Sequence, residues 1–178
     1  AGCTSVLLVS YATDGAGIIE ELAGLGFSGA IYGADGIAEE GLAAGMSDTT
    51  LVDGIIATKP AAAGTPGQVA MVFAALCAQS ADCAGGIYTA EAFDAVTIAA
   101  FAAFTALATP GLAAGDAVMG TGQGWNGASG TISFLANGDV PAAGFCIGEF
   151  STAADGTVSY DCARSWDPVN GITTATTE

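Results

Sequence analysis

The sequence predicts an α/β fold, a parallel sheet flanked by helices, and three strand-like runs separated by short helical patterns predict it. The first is Ser5-Val6-Leu7-Leu8-Val9-Ser10. Asp14 follows it, with Ile18, Ile19, Leu22 and Leu25 at helical spacing and Gly26 as a stop, so residues 5–26 read as strand then helix, with Asp14 as N-cap. The second run, Ala30-Ile31-Tyr32-Gly33, is a short buried strand. Asp35 through Met46 is expected to be its helix, with Glu39 placed as a capping-box partner. Leu51 to Ala57 is the third strand.

After Thr58 the texture changes to a small-residue connector, Lys59-Pro60-Ala61-Ala62-Ala63-Gly64, and then to helices near 66–81, 88–108 and 111–117. Thr131-Ile132-Ser133-Phe134 reads as a strand ending in the turn Ala136-Asn137-Gly138-Asp139. A second connector, Val140-Pro141-Ala142-Ala143-Gly144, leads to a terminal hairpin turning at Asp155-Gly156. The tail from Asp167 to Glu178 lacks periodicity and is expected at the surface or mobile. The expected organisation is therefore 1–58 as strand–helix units, 59–140 as a helical part, and 141–178 as a return with hairpin and tail.

The 178 residues are 52% hydrophobic, rich enough for a packed core and unlike a disordered chain. Only Lys59 and Arg164 oppose 18 acidic residues, giving a net charge of −16. That field repels a phosphate backbone and an anionic bilayer, so nucleic-acid binding is excluded. The longest apolar run, Ala95 to Ala108, is expected to form a buried helix, being shorter than the roughly 20 residues of a membrane span. No basic leader precedes the first strand, and the chain is expected to begin mid-protein.

Five cysteines and no histidine argue against zinc, and no metal or cofactor is expected. Cys77 and Cys83 lie too far apart for a CxxC redox pair and read as a disulfide. A hairpin turning at Asp155-Gly156 sets Cys146 opposite Cys162 as a second bridge. Cys3 is left as a free thiol or one with a partner elsewhere. Two bridges point to an oxidising compartment, periplasmic or extracellular.

Four segments, Leu8-Val9-Ser10-Tyr11-Ala12-Thr13-Asp14, Tyr32-Gly33-Ala34-Asp35-Gly36, Tyr88-Thr89-Ala90-Glu91-Ala92-Phe93-Asp94-Ala95-Val96 and Gly130 through Asp139, are specific in their order and spacing. Together they resemble the type I periplasmic binding proteins, specifically the branched-chain amino-acid (leucine/isoleucine/valine) binding family of ABC transporters. The resemblance covers nearly the whole chain and implies two α/β lobes that close like a Venus flytrap on an amino acid. It implies that 1–58 belongs to the C-terminal lobe, that 59–140 returns into the N-terminal lobe, and that 141–178 crosses back. It also implies a missing N-terminal half of the same protein, a membrane permease as partner, and tethering through that missing part. Leu135 departs from the family, which often carries an acidic residue before that turn.

An amino-acid ammonium needs a carboxylate, and Asp35 stands just past a strand, at the sheet edge where such folds place ligands. The residue types alone favour a helix cap; the resemblance makes it the ammonium contact instead. Tyr11, at the end of the first strand, is aimed at the same crevice, and the resemblance makes it a cleft tyrosine rather than a half-buried strand end. Tyr88, opening the long helix, matches a family aromatic that packs on the ligand, or else seals the helix against the core. Asp94 reads as structural.

Catalysis is not expected. Without histidine no Ser-His-Asp or Cys-His set can form. Asp35 with Glu39 or Glu40 is explained by the helix dipole. Gly122-Gln123-Gly124-Trp125-Asn126-Gly127 fits GxGxxG formally but has neither the strand nor the helix that a dinucleotide site requires. Two alternatives share the fold: a receptor domain sensing an amide, urea or an amino acid, and a non-catalytic assembly module.

Overall fold

In chain order the elements are β1 (Ser5–Leu8), α1 (Ala12–Gly24), β2 (Ala30–Gly33), β3 (Ile56–Pro60), α2 (Gln68–Cys77), α3 (Thr89–Ala108), α4 (Ala114–Thr121), β4 (Trp125–Asn126), β5 (Thr131–Ile132), β6 (Phe145–Thr152), β7 (Val158–Asp167) and β8 (Gly171–Thr174). They belong to a computed structural model that describes residues 2–61, 68–80, 83, 88–141 and 144–174. The chain divides into two compact units, Ala1–Ala61 with Ala143–Glu178, and Ala62–Ala142.

The first unit is one mixed sheet of order β1-β2-β3-β6-β7-β8. β1, β2 and β3 run parallel, in agreement with the strand–helix alternation, and the pairs β3–β6, β6–β7 and β7–β8 are antiparallel. The stretch after β2 is not the expected helix. Three short 3-10 turns, Asp35–Ile37, Glu40–Ala43 and Thr49–Val52, replace it, and Glu39 makes no capping bond. Ile37 and Leu42 are both fully buried. Five residues apart, they would stand about 140° from each other around one α-helix, so a continuous helix could not bury both on one side. The third strand also begins later than expected, because Asp48 Oδ1 accepts from the Thr50 amide at 3.0 Å and hydroxyl at 2.6 Å and holds residues 49–52 as a turn. Lys59 and Pro60, expected in a connector, are the last two residues of β3.

The terminal hairpin is present, but Cys146 stands opposite Ser165, not Cys162. A register shift between Ile147 and Glu149 brings the two cysteines to a Cα separation of 5.5 Å, and they are bonded. The second bridge joins Cys77 to Cys83, and Cys3 is an exposed free thiol. The tail is a third antiparallel strand as far as Thr174. Asp167 Oδ1 accepts from the amides of Val169 at 2.9 Å and Asn170 at 2.8 Å, closing the turn that returns the chain as β8.

The core packs Leu8, Ile19, Ile37, Leu42, Val52, Ile55, Ala57, Phe150 and Tyr160 together. Tyr160 holds three strands at once. Its hydroxyl donates to the Ala57 carbonyl at 2.7 Å and accepts from the Gly148 amide at 3.1 Å, and its ring packs on Phe150 with centroids 4.9 Å apart. Only glycine fits at 148, since a Cβ there would collide with the phenol ring. Burial pushes the phenol's pKa up, against the Gly148 hydrogen bond that lowers it.

In the second unit α3 is built around a buried carboxylate. Asp94, with no exposed surface, accepts from the amides of Ala128 and Ser129 at 2.8 Å each, from the Ser129 hydroxyl at 2.7 Å and from Trp125 Nε1 at 3.4 Å. Ile98 and Ala102 continue this buried stripe, and Phe101 meets Trp125. α3 is not the buried helix expected. Val96, Phe104 and Leu107, on its other side, are 71, 73 and 85% exposed. By length and apolarity its 20 residues suffice to cross a bilayer, more than the sequence run suggested, yet one face is committed to the packing just described.

Three outcomes are expected in denaturant unfolding. Tyr160→Phe strands two buried backbone groups and costs about 1–3 kcal/mol. Asp94→Ala strands four part-buried donors and costs about 3 kcal/mol or more; an unchanged midpoint in either variant contradicts these roles. The third concerns Glu20, whose carboxylate is held below its ordinary range by the Ser47 amide at 2.8 Å and hydroxyl at 2.7 Å. A depressed carboxyl stabilises above its unfolded pKa and loses that contribution as pH falls through the folded value. The midpoint of Glu20→Gln should therefore lie below that of the unmodified protein near neutral pH, with the gap closing below about pH 4.

Candidate functional site

β1 and β2 end level because they are parallel and in register, with Leu8 beside Gly33. The Ala34 amide donates to the Leu8 carbonyl at 3.1 Å and ties the two exits together. Beyond that bond lies the carboxyl edge of the sheet, where open α/β sheets hold ligands. Val9, Ser10 and Tyr11 leave β1, Ala34, Asp35 and Gly36 leave β2, and Asp14 comes from the first turn of α1. Together they line an open pocket of about 370 Å³.

Tyr11, rather than Asp14, stands at the cap position of α1, with extended backbone and no side-chain cap bond. Its carbonyl accepts from the Gly15 amide at 2.8 Å and from the Ser10 hydroxyl at 3.2 Å, which fixes the backbone. The residue is 79% exposed. Asp35 opens a 3-10 turn whose cap position is Ala34, and its carbonyl accepts from the Ala38 amide at 2.9 Å. The helix it was read as capping does not form. Tyr11 and Asp35, far apart in sequence, thus line one pocket together.

Tyr88 belongs to the other unit and caps α3 in the left-handed region at φ 63°, the only non-glycine residue with positive φ among those described. A bulky residue there is an uncommon, costly conformation of the kind that collects at functional positions. Asp94, read from the sequence as structural, is the anchor of its unit.

Ser10, Asp14 and Gly36 join the pocket without having been singled out as ligand residues. Their signal was adjacency: each is within three residues of Tyr11 or Asp35. Among the described residues no group of three His, Cys, Asp or Glu could hold a metal ion. Two other concavities lie elsewhere. One, of about 210 Å³ and lined by Phe27, Ser28, Gly29 and Ala30 among others, is at the opposite edge of the sheet. The other, of about 540 Å³, is lined only by α1 residues, among them Thr13, Asp14, Gly17 and Ile18.

No protein-family model and no curated protein sequence matches the chain. Solved structures do. A leucine-binding protein of Thermotoga maritima MSB8 superposes with a TM-score of 0.65 at 22% identity, over 93% of this chain and 45% of its own. The branched-chain amino-acid transporter substrate-binding protein of Streptococcus pneumoniae, in complex with isoleucine, gives 0.59 at 16% identity, over 90% and 44%. A solute-binding protein of an ABC transporter from Rhodopseudomonas palustris BisB5, in complex with 3,4-dihydroxybenzoic acid, gives 0.57 at 20%, over 98% and 46%. The chain spans just under half the length of each of them. Its fold is that of the type I periplasmic binding proteins, over the part of that fold which the chain covers.

Proposed function

We propose that the chain is the C-terminal half of an extracytoplasmic solute-binding protein that captures an amino acid, or a similarly small polar ligand bearing an ammonium group, for import by an ABC transporter. The observation that carries this reading is the shared pocket of Tyr11 and Asp35 at the carboxyl edge of β1 and β2. A carboxylate beside an aromatic face suits an ammonium with an apolar side chain.

In this reading residues 1–58 and 141–178 are C-terminal lobe and crossing, 59–140 belong to the N-terminal lobe, and the preceding half of the protein supplies the groups that hold the ligand's carboxylate. Tyr88, in the second unit, is the third residue proposed for ligand binding. Two disulfides fit a periplasmic or extracellular setting. The protein binds and releases and carries out no chemistry; its partners are the ligand, the rest of its own chain and a permease.

The first test is thermal unfolding of the two-lobed protein against the common amino acids, small amides and urea. A ligand at 100 times its Kd stabilises by about 2.7 kcal/mol. A selective upward shift with aliphatic amino acids is expected, and no shift with any amine-bearing compound contradicts the reading. Asp35→Asn should then weaken binding about 100-fold with the fold intact, the loss typical of an ammonium left without its counter-charge. Undiminished affinity would remove Asp35 from the site.

A further inference from the structure

Gly36 follows Asp35 in the 3-10 turn at the exit of β2. Its φ lies outside the left-handed region, so an alanine could adopt this backbone. What excludes a side chain is space. A Cβ built at 36 would collide with the Ser10 carbonyl oxygen and stand 3.3 Å from both the Ser10 carbonyl carbon and Tyr11 Cδ1. The turn after β2 therefore lies directly on the backbone that carries Tyr11, and the contact is possible only without a side chain at 36. Gly41, in the next turn, meets nothing but the Glu39 carboxyl group, at 3.8 Å.

We infer that Gly36 is a positioning residue of the ligand pocket: it sets the separation between the Tyr11 ring on one strand exit and the Asp35 carboxylate on the other, and so the size of the amine-bearing ligand the pocket accepts. The inference rests on the reading of this pocket as the ligand site. Backbone on both sides makes the contact unyielding. The Ala34–Leu8 hydrogen bond at 3.1 Å holds the exits together from below, while the Tyr11 carbonyl is committed to the Gly15 amide at 2.8 Å. A methyl group at 36 must be relieved by separating the two exits, which are the pocket's walls. The pocket would widen, favouring a bulkier ligand over a smaller one, whereas a residue important only for folding would weaken all ligands alike.

The test is calorimetric titration of the two-lobed protein with L-alanine, L-isoleucine and L-phenylalanine. Gly36→Ala should weaken isoleucine about tenfold and move preference toward phenylalanine, and Gly41→Ala should leave all three unchanged. In combination with Tyr11→Ala, the loss for isoleucine should be less than additive, because both changes act on one contact. Equal affinities for Gly36→Ala and the unmodified protein, or an equal loss for all three ligands, overturn the inference while leaving the amino-acid reading in place. Should Gly36→Ala not fold, Tyr11→Ala alone decides: the ring is at the surface, so an unchanged Tm with isoleucine weakened about tenfold supports the inference, and undiminished affinity overturns it. If the unmodified protein binds none of the three, the underlying reading fails and the inference with it.

Discussion

The antiparallel pairing of β3 with β6 is the constraint on which the rest of the first unit depends. Ile56 to Pro60 meet Phe145 to Glu149, and beyond them Gly54 and Ile55 exchange backbone hydrogen bonds with Phe150 at 3.0 Å. This seam joins the beginning of the chain to its end across the whole second unit. Tyr160 reinforces it from β7, bonding Ala57 on one side of the seam and Gly148 on the other. Parallel pairing of β1 with β2, and of β2 with β3, is built outward from it. The level exits of β1 and β2, and with them the pocket, follow from the in-register pairing of those two strands at the edge of this sheet.

Both units carry exposed apolar surface. On β1 and β2, Leu7 and its register neighbour Tyr32 are 71 and 45% exposed, although parallel sheets are ordinarily buried on both faces. Along α3 the side opposite Asp94 is apolar and open to solvent, and a helix apolar all round is ordinarily enclosed.

Strand–helix alternation made the parallel part of the sheet readable, because the period of apolar residues and the turn residues agreed there. Agreement broke down at 35–46, where a chain with a capping residue and helical composition forms separate turns instead: burying Ile37 and Leu42 together outweighs local propensity. The tail lies at the surface as expected, but its strand was not legible, for the opposite reason. Threonine-rich and without alternation, it has no visible strand signal, and only the Asp167 turn and the free edge of β7 make it β8. Cysteine pairing was legible, although the register that achieves it for Cys146 and Cys162 was not, since a bulge leaves no mark in the sequence. At the site, Tyr11 and Asp35 could be placed at strand exits from sequence alone, but the backbone contact between Ser10 and Gly36 depends on how closely two exits approach, which no local pattern encodes.

The central claim is that the Tyr11–Asp35 edge receives the ligand. A crystal structure of the proposed two-lobed protein with a bound aliphatic amino acid tests it most directly. The account predicts the ligand's ammonium within about 3 Å of the Asp35 carboxylate and its side chain against the Tyr11 ring. A ligand bound elsewhere, with Asp35 turned to solvent, would contradict it.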